Sequence, residues 1–514
     1  MIRDSRSDEF LIDNRLRVHA ARKPDHVALR IGERSFSYAQ LNEAADSWAK
    51  LLRGLGVARG DRVLIALDNV YETVLGFYGA LRADAVPSIV GAGRRFKRLE
   101  RIIALAEPRV LLTNSKVAQG LGLGVTRSCR VVLVDDVELE GAISLAAAMR
   151  ECGSEAAPPA RQSIELDLAT LCWTTGSTGE PKGVMLTYQN LRNSASAIAS
   201  YLEHGDDDVV MCVLPLLHTY GLFQLLVTHF TGGTLVLEAG FSLAVPILKR
   251  LQEMRVTGFA GVPTIYASIL ALKDLDRFDL SRLRYLTNAG YALPAAHLRR
   301  LQELCPETRI YAMYGQTECT RVCYLPPEQA LERPASVGIS MPNQELWLVR
   351  EDGTRAEKGE IGELVVRGPN VMRGYWRDPE GTARALRPGR LPGEVVLYTG
   401  DLFRTDEEGY LYFVARADDI IKTRGEKVVP CDVEQAISSL SDVVEVAVLG
   451  IPDPIHGVAV KAVVVKRPGS SLTTDDVKRV VFTSIDEVAV PRVVEFVEAL
   501  PRSEGGKVMK SSLL

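Results

Sequence analysis

Thr174-Thr175-Gly176-Ser177-Thr178-Gly179-Glu180-Pro181-Lys182-Gly183 follows directly on the apolar run 168–173. These ten residues hold three glycines, three threonines, one serine and one lysine. A strand that breaks into such a loop offers bare backbone N–H groups, hydroxyl donors and one mobile cation. Together they can surround a polyphosphate, because amides and hydroxyls donate to its oxygens while lysine offsets their charge. Flexible surface loops share this composition. A Walker A loop ends in Gly-Lys-Ser/Thr, whereas Lys182 is followed by Gly183, so the loop reads as nucleotide-binding by a different plan.

Outward from this loop, short apolar strands alternate with amphipathic helices, the pattern of an α/β protein. Leu41, Ala45, Trp48, Leu52 and Leu55 share one helical face. Strands are predicted over 62–67, 85–90, 109–113, 209–214 and 234–237, and helices over 71–83, 96–106, 191–202, 222–230 and 243–254. From Gly359 the chain turns strand-rich and Gly-punctuated, which predicts a smaller β element including 363–367 and 410–415. A final unit follows Asp418: helix 432–440, strands 443–450 and 459–466, helix 474–488, strand 493–496. No internal repeat and no low-complexity linker interrupts the pattern. The expected architecture is a large N-terminal domain of βα-layered subdomains plus the β element, over 1–416, and a small mobile α+β C-terminal domain, over 417–514. The short polar stretch at 416–419 suits a hinge better than a tether.

At 514 residues the chain exceeds the usual size of a single core, so at least two domains are expected. Hydrophobic residues make up 46% and charged residues 25%, as in an ordinary globular protein. A net charge of −4 gives no electrostatic reason to expect nucleic acid or an anionic membrane as partner. Eight scattered cysteines without paired CxxC or Cys/His spacing point to a reducing compartment and away from zinc. The charged start MIRDSRSDEF lacks a signal peptide's apolar centre, and no apolar run reaches the ~18 residues of a membrane span. A cytoplasmic location is expected.

Four further motifs follow the loop in order: Tyr314-Gly315-Gln316-Thr317-Glu318, Tyr398-Thr399-Gly400-Asp401, the segment 416–434, and Lys507. With these the chain, from about Phe36 onward, resembles the adenylate-forming enzymes: acyl- and aryl-CoA synthetases, luciferases and the adenylation domains of peptide synthetases. The resemblance implies ATP-dependent activation of a carboxylic acid to an acyl-adenylate, release of pyrophosphate, and capture of the acyl group by a thiol. Coenzyme A is the expected acceptor. A carrier-protein phosphopantetheine carries the same arm and stays open as the alternative, and a remoter one is an inactive relative that only binds acyl groups or nucleotide.

The resemblance assigns roles residue by residue. Thr174, Thr175, Gly176, Ser177, Thr178, Gly179 and Lys182 would cradle the phosphates. Glu318 would hold magnesium with Thr178, since Mg²⁺ is held by one or two carboxylates plus the phosphates themselves. Thr317 would bind phosphate, and Tyr314 beside Gly315 would lie against the adenine; standing alone, that tyrosine reads equally as a core aromatic. Asn288, Ala289 and Gly290 would pass between adenine and acyl pocket. Asp401 would accept from the ribose hydroxyls with Arg416 assisting. Lys507, in Ser503-Glu504-Gly505-Gly506-Lys507, would meet the α-phosphate and the substrate carboxylate as a compact charge. Arg502 and Gly505 stand where lysine and serine are common in that motif. Asp418 aligns with the hinge, Gly425 with a glycine beside the pantetheine channel, and Lys422 with a lysine on the face used for the second half-reaction. Ala415 and Asp432 replace a frequent glycine and glutamate.

Specificity belongs to the acyl side. Leu214-Pro215-Leu216-Leu217-His218-Thr219-Tyr220-Gly221 resembles the gate region of acyl- and aryl-CoA synthetases, where His218 and Tyr220 would line the carboxylate end. Peptide-synthetase domains carry an aspartate near this point for the substrate ammonium; this motif has none, so an acid without an α-amino group is expected. Tyr291 stands where related chains have a small residue, and its ring is expected to narrow the pocket. Arg321, just past Glu318, falls either against a second polar group of the substrate or on a helix surface. The identity of the acid, the pathway and the oligomeric state are not encoded in these motifs.

Overall fold

Alternating apolar strands and one-sided helices leave one economical arrangement, parallel strands with helices packed on the sheet faces. The computed structural model describes residues 10–93, 96–122, 128–151, 161–175, 180–424, 426–454, 457–502 and 508–513. Packing groups the chain into two units. The first holds Met1–Ala335, Ile339–Glu345 and Val366–Leu397; the second holds Ser336–Gly338, Leu346–Val365 and Tyr398–Leu514.

In the first unit, Val86–Val90, Arg62–Ala66, Val110–Thr113, Arg130–Leu133 and Ala142–Ser144 lie side by side as a parallel sheet. The helix Phe96–Ala106 turns Leu99, Ile102, Ile103 and Ala106 inward. These pack in one core with Leu64, Leu111 and Trp173. The helix Tyr38–Gly54 starts at Ser37, whose hydroxyl accepts from Gln40 N–H while the Gln40 side chain returns to the Ser37 N–H. Such a capping box satisfies two donors that the first turn otherwise leaves open. Of its predicted face, Leu41, Ala45, Trp48 and Leu52 are fully buried, while Leu55, the residue that caps the helix end, is half-buried.

A second sheet of this unit runs in the order Ile339–Ser340, Cys323–Tyr324, Arg309–Tyr314, Tyr285–Asn288, Gly258–Gly261, Val209–Cys212, Thr234–Leu237, Val27–Ile31, Arg34–Ser37. From Arg309–Tyr314 to Val27–Ile31 neighbouring strands are parallel. Parallel neighbours put the loops that follow them along one edge, which is where open α/β sheets bind ligands. A third, antiparallel sheet joins Gly374–Tyr375, Pro181–Thr187 and Leu168–Thr175.

The second unit pairs Val443–Asp453 with Gly457–Lys466 in an antiparallel hairpin, and Val493–Val497 adds in parallel. Val433 and Ile437 of helix Pro430–Ser438 and Val477 and Val481 of helix Thr474–Ser484 close its core. The helix predicted to reach 488 stops at Ser484, because the backbone leaves helical geometry at Ile485 and is extended at Asp486 before a short turn Glu487–Ala489. Aspartate competes for the backbone's hydrogen bonds and favours such exits. The β element packs with this unit: Asp401–Thr405 is hydrogen-bonded in register to Leu411–Arg416. Packing therefore groups 398–416 with the C-terminal segment, whereas the expected division at 416/417 rests on a short polar stretch of chain.

Candidate active site

The strands 209–212, 285–288 and 309–314 each end in a segment singled out by sequence. After Val209–Cys212 comes the gate motif, with His218 at the N-cap of the helix Thr219–Thr231. Gly221 is required there, since a Cβ would stand 2.3 Å from the Pro215 carbonyl oxygen. Asn69 holds the motif from another part of the chain. Its Nδ2 donates to the Leu214 carbonyl at 2.9 Å and the Glu238 carbonyl at 3.0 Å, and its Oδ1 accepts from Leu216 N–H at 2.9 Å. The Tyr220 hydroxyl lies 2.9 Å from the Thr287 carbonyl, 2.8 Å from Thr287 Oγ1 and 3.2 Å from the Gly261 carbonyl. One phenol thus ties the gate to the ends of two neighbouring strands.

Tyr285–Asn288 runs into Ala289, which is buried, and Gly290, whose φ of +92° is left-handed backbone that glycine adopts without strain. Asn288 is buried, and its Nδ2 donates to the Tyr291 carbonyl at 2.8 Å while its Oδ1 has no partner among the described residues. The Tyr291 side of this turn opens outward, with the residue 48% exposed.

Arg309–Tyr314 delivers Tyr314, and the chain then folds back sharply. A Cβ on Gly315 would stand 2.3 Å from the Thr320 carbonyl oxygen, so only glycine passes here without displacement. Thr320 itself takes φ +57° and its Oγ1 lies 2.7 Å from Ser194 Oγ. Asn370 pins the returning turn, donating to the Cys319 carbonyl at 2.8 Å and to the Arg321 carbonyl at 3.3 Å. Thr317 and Glu318 lie at the tip of this turn, partly exposed. Arg321 is neither on a helix nor at the surface: it follows the turn and is 4% exposed.

The phosphate-loop hairpin meets this turn through a residue that the sequence reading missed. Thr174 pairs with Lys182 and Thr175 with Pro181 across Leu168–Thr175 and Pro181–Thr187. Gly374–Tyr375 adds to the same hairpin with Tyr375 opposite Val184. Register therefore places the Lys182 Nζ over the Tyr375 ring, 5.2 Å from its centre. The Tyr375 hydroxyl donates to Glu318 Oε1 at 2.8 Å. No motif marks Tyr375; its signal is an aromatic in a short strand, which looks like any packing residue.

Glu318 Oε2 has no hydrogen bond among the described residues, and no cluster of three His, Cys, Asp or Glu side chains is present among them. A single open carboxylate suits a magnesium ion whose remaining ligands are phosphate oxygens and water. The buried thiols are not nucleophiles: burial pushes Cys172 and Cys212 up to about 12.

Within the second unit, Asp401 and Arg416 are direct cross-strand partners, and Arg416 Nη1 lies 3.3 Å from Asp401 Oδ1. Gly400 precedes Asp401 at φ +69°, its N–H donating to Glu363 Oε1 at 2.9 Å. Arg416 also reaches the expected hinge residue, with Nε 3.3 Å from Asp418 Oδ1. Lys422 stands exposed on Ile421–Thr423, directly opposite Lys427 of Glu426–Val428. Gly176, Ser177, Thr178, Gly179, Gly425 and Lys507 lie outside the described residues.

The family model for AMP-binding enzyme matches residues 16–376, and that for the AMP-binding enzyme C-terminal domain matches residues 432–507. The chain is 28% identical to the long-chain-fatty-acid–CoA ligase of Bacillus subtilis (strain 168), over 96% of this chain and 92% of that protein. It is 32% identical to a feruloyl-CoA synthase of an Amycolatopsis species, over 96% of this chain and 97% of that one. Among solved structures, ATP-bound MatB from Rhodopseudomonas palustris matches with a TM-score of 0.89 at 29% identity, covering 98% of each chain. No helix among the described residues is long and apolar enough to cross a membrane.

Proposed function

Because the chain belongs to the family of AMP-binding, adenylate-forming enzymes, we propose that it is an acyl-CoA synthetase acting in two half-reactions. In the first, a carboxylate oxygen of the acid attacks the α-phosphorus of ATP, the bond to the β-phosphate oxygen breaks, and pyrophosphate leaves. In the second, a thiol sulfur attacks the acyl carbon, AMP leaves with the bonding pair, and the thiol proton goes to solvent or base. The observation that carries this reading is the Tyr375 junction, where one side chain touches both the phosphate-loop Lys182 and Glu318.

Thr174, Thr175, the loop 176–179 and Lys182 bind the phosphates, with Thr317 beside them. Preorganised donors and a cation at this place offset the charge that builds on the phosphoryl oxygens. Magnesium, bound with ATP at Glu318 and Thr178, supplies further charge neutralisation there. Tyr314, Gly315, Asn288, Ala289 and Gly290 form the adenine side. Asp401 takes the ribose hydroxyls, with Arg416 paired to it 3.3 Å away. Lys507 approaches the α-phosphate from the C-terminal segment. We assign the moving parts to 1–416 and 417–514, with Asp418 as hinge and Lys422 and Gly425 on the thiol-transfer face; the two family matches fall on either side of that boundary.

His218, Tyr220 and Tyr291 are assigned to the acyl side, and the acid lacks an α-amino group. Coenzyme A is the acceptor, supported by relatives whose names are those of CoA ligases. A cytoplasmic location fits buried cysteines with no disulfide among the described residues.

The test is pyrophosphate release from Mg-ATP across a panel of carboxylic acids, with either coenzyme A or a phosphopantetheinylated carrier protein, and Lys507→Ala as control. Acid-dependent release lost in the variant, with AMP and acyl-CoA formed in equal amounts, is the expected result. Thioester formation with the carrier protein alone would replace the acceptor. No release with any acid from folded, ATP-binding protein would overturn the reading.

A further inference from the structure

Arg321 is a buried cation with no counterion among the described residues. It is 4% exposed, its Nε is sealed from solvent without an acceptor, and its side chain forms no ion pair or hydrogen bond among the described residues. Its guanidinium meets an aromatic face instead: the guanidinium carbon stands 4.8 Å from the centre of the Tyr220 ring. That ring cannot swing away, because its hydroxyl is held by the ends of the strands Tyr285–Asn288 and Gly258–Gly261. The backbone of Arg321 is equally fixed, its carbonyl accepting from Asn370 and from Gln344, each at 3.3 Å.

A buried guanidinium without a carboxylate loses its hydration and recovers only part of it from a ring face. Stacking leaves the edge of the fork available, and that edge matches a carboxylate with two parallel hydrogen bonds. Tyr220 belongs to the gate motif assigned to the acyl side, and the Arg321 guanidinium stands against its ring.

We propose that Arg321 determines specificity by binding a second carboxylate on the substrate, so that the enzyme activates one end of a dicarboxylic acid. This rests on the acyl-CoA synthetase reading, with Tyr220 on the acyl side. The carboxylate that reacts is left to ATP, while the other one neutralises Arg321. A monocarboxylic acid of the same length leaves the guanidinium buried and unpaired, and is rejected for that reason.

The experiment compares matched pairs, each dicarboxylic acid against the monocarboxylic acid with a methyl or hydrogen in place of the second carboxylate. Succinate with butyrate, adipate with hexanoate, and phthalate with benzoate cover short, long and aromatic shapes. Pyrophosphate release gives kcat/KM for each acid with the parent enzyme, Arg321→Met and Arg321→Lys. In the parent the diacid of at least one pair is expected to win by roughly 10- to 100-fold, the range of charge-assisted hydrogen bonds. In Arg321→Met the ratio is expected to collapse or invert, and in Arg321→Lys to fall between. A merely structural arginine would lower both members of a pair together and leave their ratio unchanged, and that result overturns the proposal. So does a parent enzyme that prefers the monoacid in every pair. If no acid at all releases pyrophosphate, the synthetase reading fails and acid binding in the presence of ATP decides the inference alone. A diacid-selective thermal shift that Arg321→Met abolishes upholds it, and equal shifts overturn it.

Discussion

The Tyr375 hydroxyl donates to Glu318 Oε1 at 2.8 Å, while the same ring carries Lys182 on its face. The two residues are 57 apart in the chain, Tyr375 in the strand Gly374–Tyr375 and Glu318 in the turn after Tyr314, so the contact joins the phosphate-loop hairpin to that turn. A carboxylate held by one oxygen keeps the other directed at its ligand, and holding it costs nothing at the moment of reaction.

Tyr375→Phe removes the hydroxyl and keeps the ring under Lys182. Pyrophosphate release is expected to fall by roughly tenfold, the value of one hydrogen bond to a charged group. The Mg²⁺ concentration giving half-maximal rate should rise as well. A magnesium titration superimposable on that of the parent would show that the hydroxyl does not position Glu318.

Lys507→Ala and a bulky substitution at Gly425 should separate the two half-reactions. The first is expected to cripple adenylation, measured as acid-dependent pyrophosphate exchange. The second should leave that exchange largely intact and slow thioester formation from preformed acyl-adenylate. Equal loss of both half-reactions in the Gly425 variant counts against a two-face mechanism.

Asn69→Ala removes three hydrogen bonds to the backbone, two in the gate motif at Leu214 and Leu216 and one at Glu238. Leaving such groups unpaired costs about 1–3 kcal/mol, so a drop of a few degrees in melting temperature is expected. Because the loosened segment carries His218 and Tyr220, KM for the acid should rise more than KM for ATP. Parallel changes in the two constants would assign Asn69 to stability alone.

Stability should fall on mild acidification, and His229 supplies an identifiable share. Burial lowers its pKa to about 4, against the opposing effect of the hydrogen bond to the Ala28 carbonyl at 3.0 Å. Above pH 6.5 the ring is neutral folded or unfolded, so it adds no pH dependence there. As pH falls from about 6.5 towards 4, the unfolded chain takes up the proton and the folded one does not, which removes about 3 kcal/mol. Denaturant titrations at pH 7 and pH 4.5 measure the loss, and His229→Gln should reduce it. An unchanged pH dependence in that variant would mean that His229 titrates normally in the folded state.

Tyr291 and Arg321 show what packing adds to a motif. Tyr291, expected to narrow the acyl pocket, is half exposed, and Arg321, expected either against a second polar group of the substrate or on a helix surface, is buried and off any helix. Exposure is a property of everything packed around a side chain, and a motif records only its neighbours in sequence.

The order of the predicted strands and helices, the strand that breaks into the phosphate loop, and the motif segments that follow the parallel strands were legible in the sequence alone. Local periodicity sets each element, and a strand followed by Gly, Ser and Thr can only turn. Asn69 under the gate, Tyr375 between Lys182 and Glu318, and Arg321 stacked on Tyr220 were decided by tertiary structure. Asn69 and Leu214 are 145 residues apart. A hydrogen bond across that distance depends on which sheets close against each other, and an asparagine, a tyrosine or an arginine carries no mark of its eventual partner. What the chain encodes locally is the chemistry available; which of those groups meet, and which is left buried without a counterion, follows from burial and register in the folded whole.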